Sequence, residues 1–189
     1  MDRMQTRNEF KRLIIPHLGA SYNLALWLMR TTHDAEDVVQ ESYLKAFKAF
    51  DQFKGENPKG WLLSIVRNTG MTMLSRNMRQ SKIIPIEAAL DNPGIWRADQ
   101  HMVELSRMPD DQMISNHEHK QLREAICRLP VEFREVIVLR EFEDMSYQQI
   151  ADITGVPVGT VMSRLSRARE KLAISLAPKF EEGHSHEMP

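Results

Sequence analysis

Thr160, Ser163, Arg164, Arg167 and Lys171 follow one another at intervals of one, three or four residues in the last third of this 189-residue chain. On a helix that spacing gathers them into one stripe. Hydroxyls that donate and accept, guanidiniums that form a planar fork, and an ammonium are groups that read base edges and neutralise phosphates. No aspartate or glutamate stands between Ile153 and Arg169. The cations are therefore uncompensated along the chain, as phosphate binding requires. The chemistry expected is recognition by binding, with a helix laid in the major groove of DNA. The plain alternative is a helical hairpin with a solvated basic face, and the acid-free helix and the turn before it weigh against that.

The elements that must position this stripe lie in Met145 to Leu172. Ser146 is a plausible N-cap for a first helix carrying Ile150, Ala151 and Ile153. Gly155-Val156-Pro157 breaks the period, since glycine can end a helix in the left-handed conformation and proline can start the next. A second helix is expected from about Val158 to Leu172. Its core stripe is Val161, Leu165, Ala168 and Leu172, recurring at about 100° per residue.

The first half of the chain separates its charges. An interrupted helix is expected from Asn8 to about Met29, broken near Pro16 to Gly19. Thr32 or Asp34 can cap the next helix, whose core face is Ala35, Val38, Val39, Ser42, Ala46, Ala49 and Phe50. Glu36, Asp37, Gln40, Glu41, Leu44 and Lys48 lie on another side, an acidic face with an apolar residue in it. A Gly/Pro loop from Phe53 to Gly60 leads to a helical pattern from Trp61 to about Gln80. Lys59, Arg67, Arg76, Arg79 and Lys82 give that segment five cations and no acid between Glu56 and Glu87. Trp61 reads as core packing rather than a stacking platform. From Ile83 to His117, Pro85, Pro93, Gly94 and Pro109 break every period, so a linker is expected, with a short helical turn near Arg97 to Arg107. Two helices then precede the hairpin, one with Leu122, Ala125, Ile126 and Leu129, the other with Phe133, Val136, Ile137 and Leu139, separated by Pro130.

Composition excludes several classes. Net charge is −1 and aromatics are 7%, which rules out a uniformly basic coat but not local basic patches. The single cysteine, Cys127, allows no internal disulfide and fits a reducing cytoplasm as a buried thiol. No signal peptide and no membrane-length apolar run are visible. There is no phosphate-binding glycine loop and no nucleophile elbow. His117-Glu118-His119 and His184-Ser185-His186 lack the spacing of helical metal ligands. No cofactor, metal or catalytic residue is expected.

Taken together, these stretches resemble bacterial sigma factors of the extracytoplasmic-function group, over about Phe10 to Leu176. DAEDVVQESYLKAFKAF looks like the family's core-polymerase-binding segment, and FKGENPKGWLLSIVRNT resembles its melting and −10-reading segment. LPVEFREVIVLREFEDMSYQQIADITGVPVGTVMSRLSRAREKL resembles its −35-reading region. The resemblance implies an all-α chain: region 2 over residues 1–82, a flexible linker over 83–117, region 4 with its helix-turn-helix over 118–177, and a disordered tail over 178–189. It implies a cytoplasmic transcription initiation factor whose partners are core RNA polymerase (β′ and β subunits), promoter DNA and an anti-sigma factor. Asp37, Gln40, Glu41 and Leu44 would dock on polymerase. Lys54, Asn57, Lys59, Arg67, Asn68, Thr72, Arg76 and Arg79 would serve the −10 element. Gly159, Thr160, Met162, Ser163, Arg164, Arg167 and Lys171 would serve the −35 element. Many members carry an acid where Thr72 stands and a Lys or Arg where Met162 stands. A partner that clamps the halves together is expected to hide both the polymerase dock and the recognition helix. The rivals are a stand-alone helix-turn-helix regulator and an inhibitor mimic that never binds DNA.

Overall fold

The computed structural model describes residues 3–81 and 116–177. Among them all regular structure is helical. The expected linker (apart from its last two residues), the helical turn near Arg97 and the C-terminal tail lie outside the described residues.

In the first half, α1 (Arg3–Leu13) and α2 (Leu18–Met29) flank a 3-10 turn, Ile15–His17. Pro16 sits inside this turn, because proline lacks the N–H that a continuous α-helix would need there. The break, Ile14 to His17, lies two residues earlier than the sequence suggests, and Gly19 is already helical. α2 buries Leu24 to Met29 without interruption, so it is the central helix of its half. It closes on Arg30, a non-glycine residue in the left-handed conformation at φ 66°. α3 (Thr32–Ala49) is capped by Thr31 rather than by Thr32 or Asp34. Thr31 is extended, and its hydroxyl accepts from the Asp34 N–H at 3.1 Å, satisfying one of the orphan donors of the first turn. The predicted core face of α3 is buried at Ala35, Val38, Val39, Ser42 and Ala46, with Ala49 only half-buried. The Ser42 hydroxyl donates to the Val38 carbonyl at 2.6 Å, which is how a polar side chain is tolerated there. A second 3-10 turn, Phe50–Gln52, leads to α4 (Pro58–Ser81). Phe10 meets Phe47 and Phe50 edge-on at 5.2 and 5.3 Å, tying α1 to the end of α3.

In the second half, α5 (Asn116–Arg128) begins two residues before the expected boundary. α6 (Val131–Ile137) continues into a π turn, Val138–Phe142. α7 (Tyr147–Thr154) and α8 (Val158–Leu176) form the helix-turn-helix. Ser146 caps α7 with a full capping box, accepting from the Gln149 N–H while Gln149 accepts from the Ser146 N–H. Gly155 closes α7 at φ 70°, a conformation that costs an L side chain about 1–2 kcal/mol. Val161, Leu165 and Ala168 are buried against α6 and α7, as their spacing requires. Each large apolar side chain so buried contributes about 1.5–3 kcal/mol. The helix runs four residues past its expected end.

The halves pack against each other. α2 meets α6 and the π turn, and α4 meets α7. Trp27, 1% exposed, lies 5.4 Å from the ring of Phe142.

Candidate nucleic-acid interface and docking face

Asp37, Gln40, Glu41 and Leu44 occupy one face of α3, at the spacing that aligns them along two turns, with Glu41 half-buried and the other three exposed. Leu44 is 59% exposed, an apolar residue displayed among acids. Phe47, 48% exposed, extends the face three residues further, although the sequence reading does not single it out. Its position relative to Leu44 was the available signal. Glu41 is paired with Lys45 at 2.7 Å and Asp37 with His33 at 3.8 Å, both in solvent, where such pairs contribute little.

The residues expected to serve the −10 element divide into three groups. Asn57 is a helix cap. Its side-chain oxygen accepts from the Gly60 N–H at 2.9 Å, and its carbonyl accepts from Trp61 N–H at 3.1 Å. A Cβ on Gly60 would lie 2.5 Å from the Asn57 amide nitrogen, so a larger residue there would push the capping side chain aside. Trp61 packs against Phe53 at 4.9 Å, in keeping with a packing role. Lys54, Asn68, Thr72, Arg76 and Arg79 are exposed, and the last four share one face of α4. The Thr72 hydroxyl is turned back onto the Asn68 carbonyl at 2.8 Å.

Lys59 and Arg67 depart from the sequence reading, which treats them as uncompensated cations. Lys59 Nζ lies 2.9 Å from both the carboxylate and the backbone carbonyl of Glu143. Arg67 donates through Nε to Glu135 Oε2 at 2.8 Å and through its second nitrogen to Oε1 at 3.3 Å. Both acids come from the second half and are buried, Glu135 with a side chain 1% exposed and Glu143 with one 6% exposed. Counting acids within a segment misses partners supplied by a distant one.

On α8, Gly159, Met162, Ser163, Arg167 and Lys171 are exposed and Thr160 is half-buried beside the turn. Lys171 Nζ also sits 6.0 Å from the centre of the Phe133 ring. Arg164 is the exception. Its guanidinium is held by Glu135 Oε1 at 3.1 Å, so this residue is part of an ion cluster rather than a free reader. Glu135 thus receives one arginine from α4 and one from α8.

Beside it on α6, Arg134 is 2% exposed and donates to the carbonyls of Cys127 at 2.7 Å, Leu129 at 3.2 Å and Leu28 at 3.4 Å. These lie at the C-terminal ends of α5 and α2, where unsatisfied carbonyls accumulate negative partial charge. Burial, with the nearby Arg30 charge, pushes its guanidinium down to about 10. Cys127 is buried as expected, and burial raises its thiol.

The packed arrangement leaves the α3 face and the outer side of α8 exposed. It does not by itself hide the dock or the recognition helix. What it covers is Lys59 and Arg67.

Two family models match the chain, Sigma-70 region 2 over residues 13–80 and Sigma-70, region 4 over residues 119–172. Similar proteins include the ECF RNA polymerase sigma-E factor of Salmonella typhimurium, 37% identical, the match covering 77% of this chain and 75% of that one. The RNA polymerase sigma-H factor of Pseudomonas aeruginosa is 29% identical over 93% of this chain and 90% of its own length. Among solved structures, the sigma factor RpoE in complex with the anti-sigma factor NepR from Bartonella quintana aligns with a TM-score of 0.70 and 28% identity, over 89% of this chain and 96% of that one. CnrH in complex with the cytosolic domain of CnrY aligns at 0.61 with 26% identity, over 90% and 88%. With both regions in order on one helical scaffold, the chain belongs to the extracytoplasmic-function group of the sigma-70 family.

Proposed function

We propose that this chain binds core RNA polymerase, directs promoter-specific initiation, and acts by binding rather than by catalysis. The observation that carries this reading is the pairing, on one half, of an exposed acidic face containing Leu44 on α3 with a basic face on α4. A stand-alone regulator needs a helix-turn-helix but no such docking face. In this reading Asp37, Gln40, Glu41 and Leu44 meet a basic surface of the polymerase β′ subunit. Asn68, Thr72, Arg76 and Arg79 lie along the opened strand with Lys54 at its loop end, where aromatic and cationic side chains hold single strands. Arg167, Ser163 and Thr160 face the −35 element, with Lys171 on phosphate. The region boundaries follow the two halves, 1–82 and 118–177.

Work in the cytoplasm and control by a separate anti-sigma factor belong to the same reading. Support for the latter is the likeness to a sigma factor solved in complex with the anti-sigma factor NepR. No described helix is long and apolar enough to cross a membrane. The decisive experiment is transcription in vitro with core polymerase on a promoter library. Initiation from a defined subset is expected. A chain that shifts duplex DNA by itself yet starts no transcript with core enzyme would be a stand-alone regulator.

A further inference from the structure

Between Val158 and Lys171, Met162 is the one large apolar side chain that α8 exposes, at 54%. Its neighbours one turn away on the same flank are small, Gly159 at i−3 and Ser166 at i+4, and both are exposed. A Cβ built on Gly159 meets nothing within 4 Å. The thioether therefore stands alone above a shallow stretch of helix, where another molecule can reach its sides.

The polar groups around it are largely committed. Arg164 is held by Glu135 at 3.1 Å and Arg169 by Glu141 at 2.7 Å. The Ser163 hydroxyl donates to the Thr160 carbonyl at 3.0 Å. No acid stands between Ile153 and Arg169, so the helix itself does not repel phosphate at this point. A lone apolar group on a basic helix is too small a patch to carry a protein interface. It is large enough to carry a contact with one base. A thioether has no donor and is only a weak acceptor, so it cannot read the hydrogen-bonding pattern of a base edge. In the major groove one group is apolar, the 5-methyl of thymine.

We propose that Met162 selects a thymine in the −35 element by packing its thioether on the 5-methyl group. This rests on the reading of α8 as the helix in the groove and adds a base identity to it. Met162 lies about a quarter-turn from the core stripe on one flank, and Arg167 about a third of a turn from it on the other. The two are five residues apart, about 7.5 Å along the axis, which spans about two base steps. The guanidinium fork of Arg167 suits O6 and N7 of guanine. The element is therefore expected to hold a thymine and a guanine about two steps apart, one read by shape and the other by hydrogen bonds.

The test uses the full chain with core polymerase on a promoter library randomised across the −35 element. Met162→Ala, Met162→Leu and Met162→Arg are compared with the wild type, and helical signal and melting temperature confirm that each folds. Met162→Ala should relax the preference for thymine at one base pair by about fourfold, the worth of one methyl contact. Met162→Leu, which keeps an apolar side chain of similar size, should retain it. Met162→Arg should move the preference at that base pair to guanine, on the order of tenfold. At the same base pair, deoxyuridine in place of thymidine removes the methyl group alone. The wild type should lose about fourfold on this change, and Met162→Ala should lose nothing.

A wild type indifferent to uracil at every thymine of the element overturns the proposal without recourse to any variant. A relaxed position that is not a thymine overturns it too, and so does a uracil effect of equal size in the wild type and Met162→Ala. Anisotropy of the same duplexes with the full chain alone separates this proposal from the reading beneath it. Transcription that starts with core enzyme but ignores the methyl group defeats the role of Met162 alone. Methyl-sensitive duplex binding that Met162→Ala abolishes, in a chain that starts no transcript, defeats the initiation-factor reading alone. A chain that neither binds the duplex nor starts a transcript defeats both.

Discussion

Lys59 binds Glu143 twice, once at the carboxylate and once at the backbone carbonyl, each at 2.9 Å. The same carboxylate accepts from the Asn23 amide at 2.7 Å. One acid just after the π turn therefore fastens both α2 and the start of α4. Glu143→Ala would leave the Asn23 amide without its acceptor and Lys59 with only the backbone carbonyl, and a loss of about 1–3 kcal/mol is expected. Urea unfolding of the full chain checks this. An unchanged midpoint and slope would mean that solvent serves these donors equally well.

On α3 the expectation concerns docking. Asp37→Arg combined with Glu41→Arg should abolish co-elution with core polymerase and leave the helical signal unchanged, because about half of each side chain is in solvent. Leu44→Asp should act in the same direction. Retained co-elution of the double variant would place the polymerase contact elsewhere.

On α8, Arg167→Ala should weaken binding to one promoter position by about 1–3 kcal/mol and relax preference there. Lys171→Ala should weaken binding to all sequences alike and reduce the salt slope by about one unit. Its side chain also stands near the Phe133 ring, so a small loss of stability is expected with it. Equal loss of transcription from every promoter variant on removing Arg167 would mark that residue as a phosphate anchor.

The turn between α7 and α8 offers a test of local backbone energetics. Nothing lies within 4 Å of a Cβ built on Gly155, so Gly155→Ala meets no clash and only the left-handed conformation resists it. A loss of about 1–2 kcal/mol is expected. Ser146→Ala, which removes the α7 cap, should destabilise by about 1 kcal/mol. Thermal melting of the two variants and their double mutant measures both. Strict additivity would show that cap and turn act independently.

Much of this was legible in the sequence. The core stripe of α8, the N-cap at Ser146 and the glycine turn follow from spacing and residue type, which are local rules. The acidic face of α3 follows from the same helical period. What local rules cannot supply is a partner from far along the chain. Arg67 and Glu135 are 68 residues apart, and Lys59 and Glu143 are 84. Within their own segments, Lys59 and Arg67 look like free cations. The available hint was on α6, where Arg134 and Glu135 stand between Phe133 and Val136 in an otherwise apolar run. Charges in such a run are buried, and buried charges find partners. The shift of the α3 cap to Thr31 has a simpler source, since four polar residues in a row, Thr31 to Asp34, offer more than one start.

The mixture of bonds across the halves sets how freely they can be exchanged with those of relatives. Arg134 binds the carbonyl of Leu28, and any sequence at that position offers a carbonyl. A hybrid chain would keep this contact whatever its first half. The Arg67–Glu135 and Lys59–Glu143 bonds need particular side chains on both sides. A hybrid that carries this second half behind a foreign first half lacking Lys59 and Arg67 would bring Glu143 to the junction without its cation and leave Glu135 with Arg164 alone. Compatible donors for promoter-swapping hybrids are therefore identified by two positions near the start and middle of α4, rather than by overall similarity.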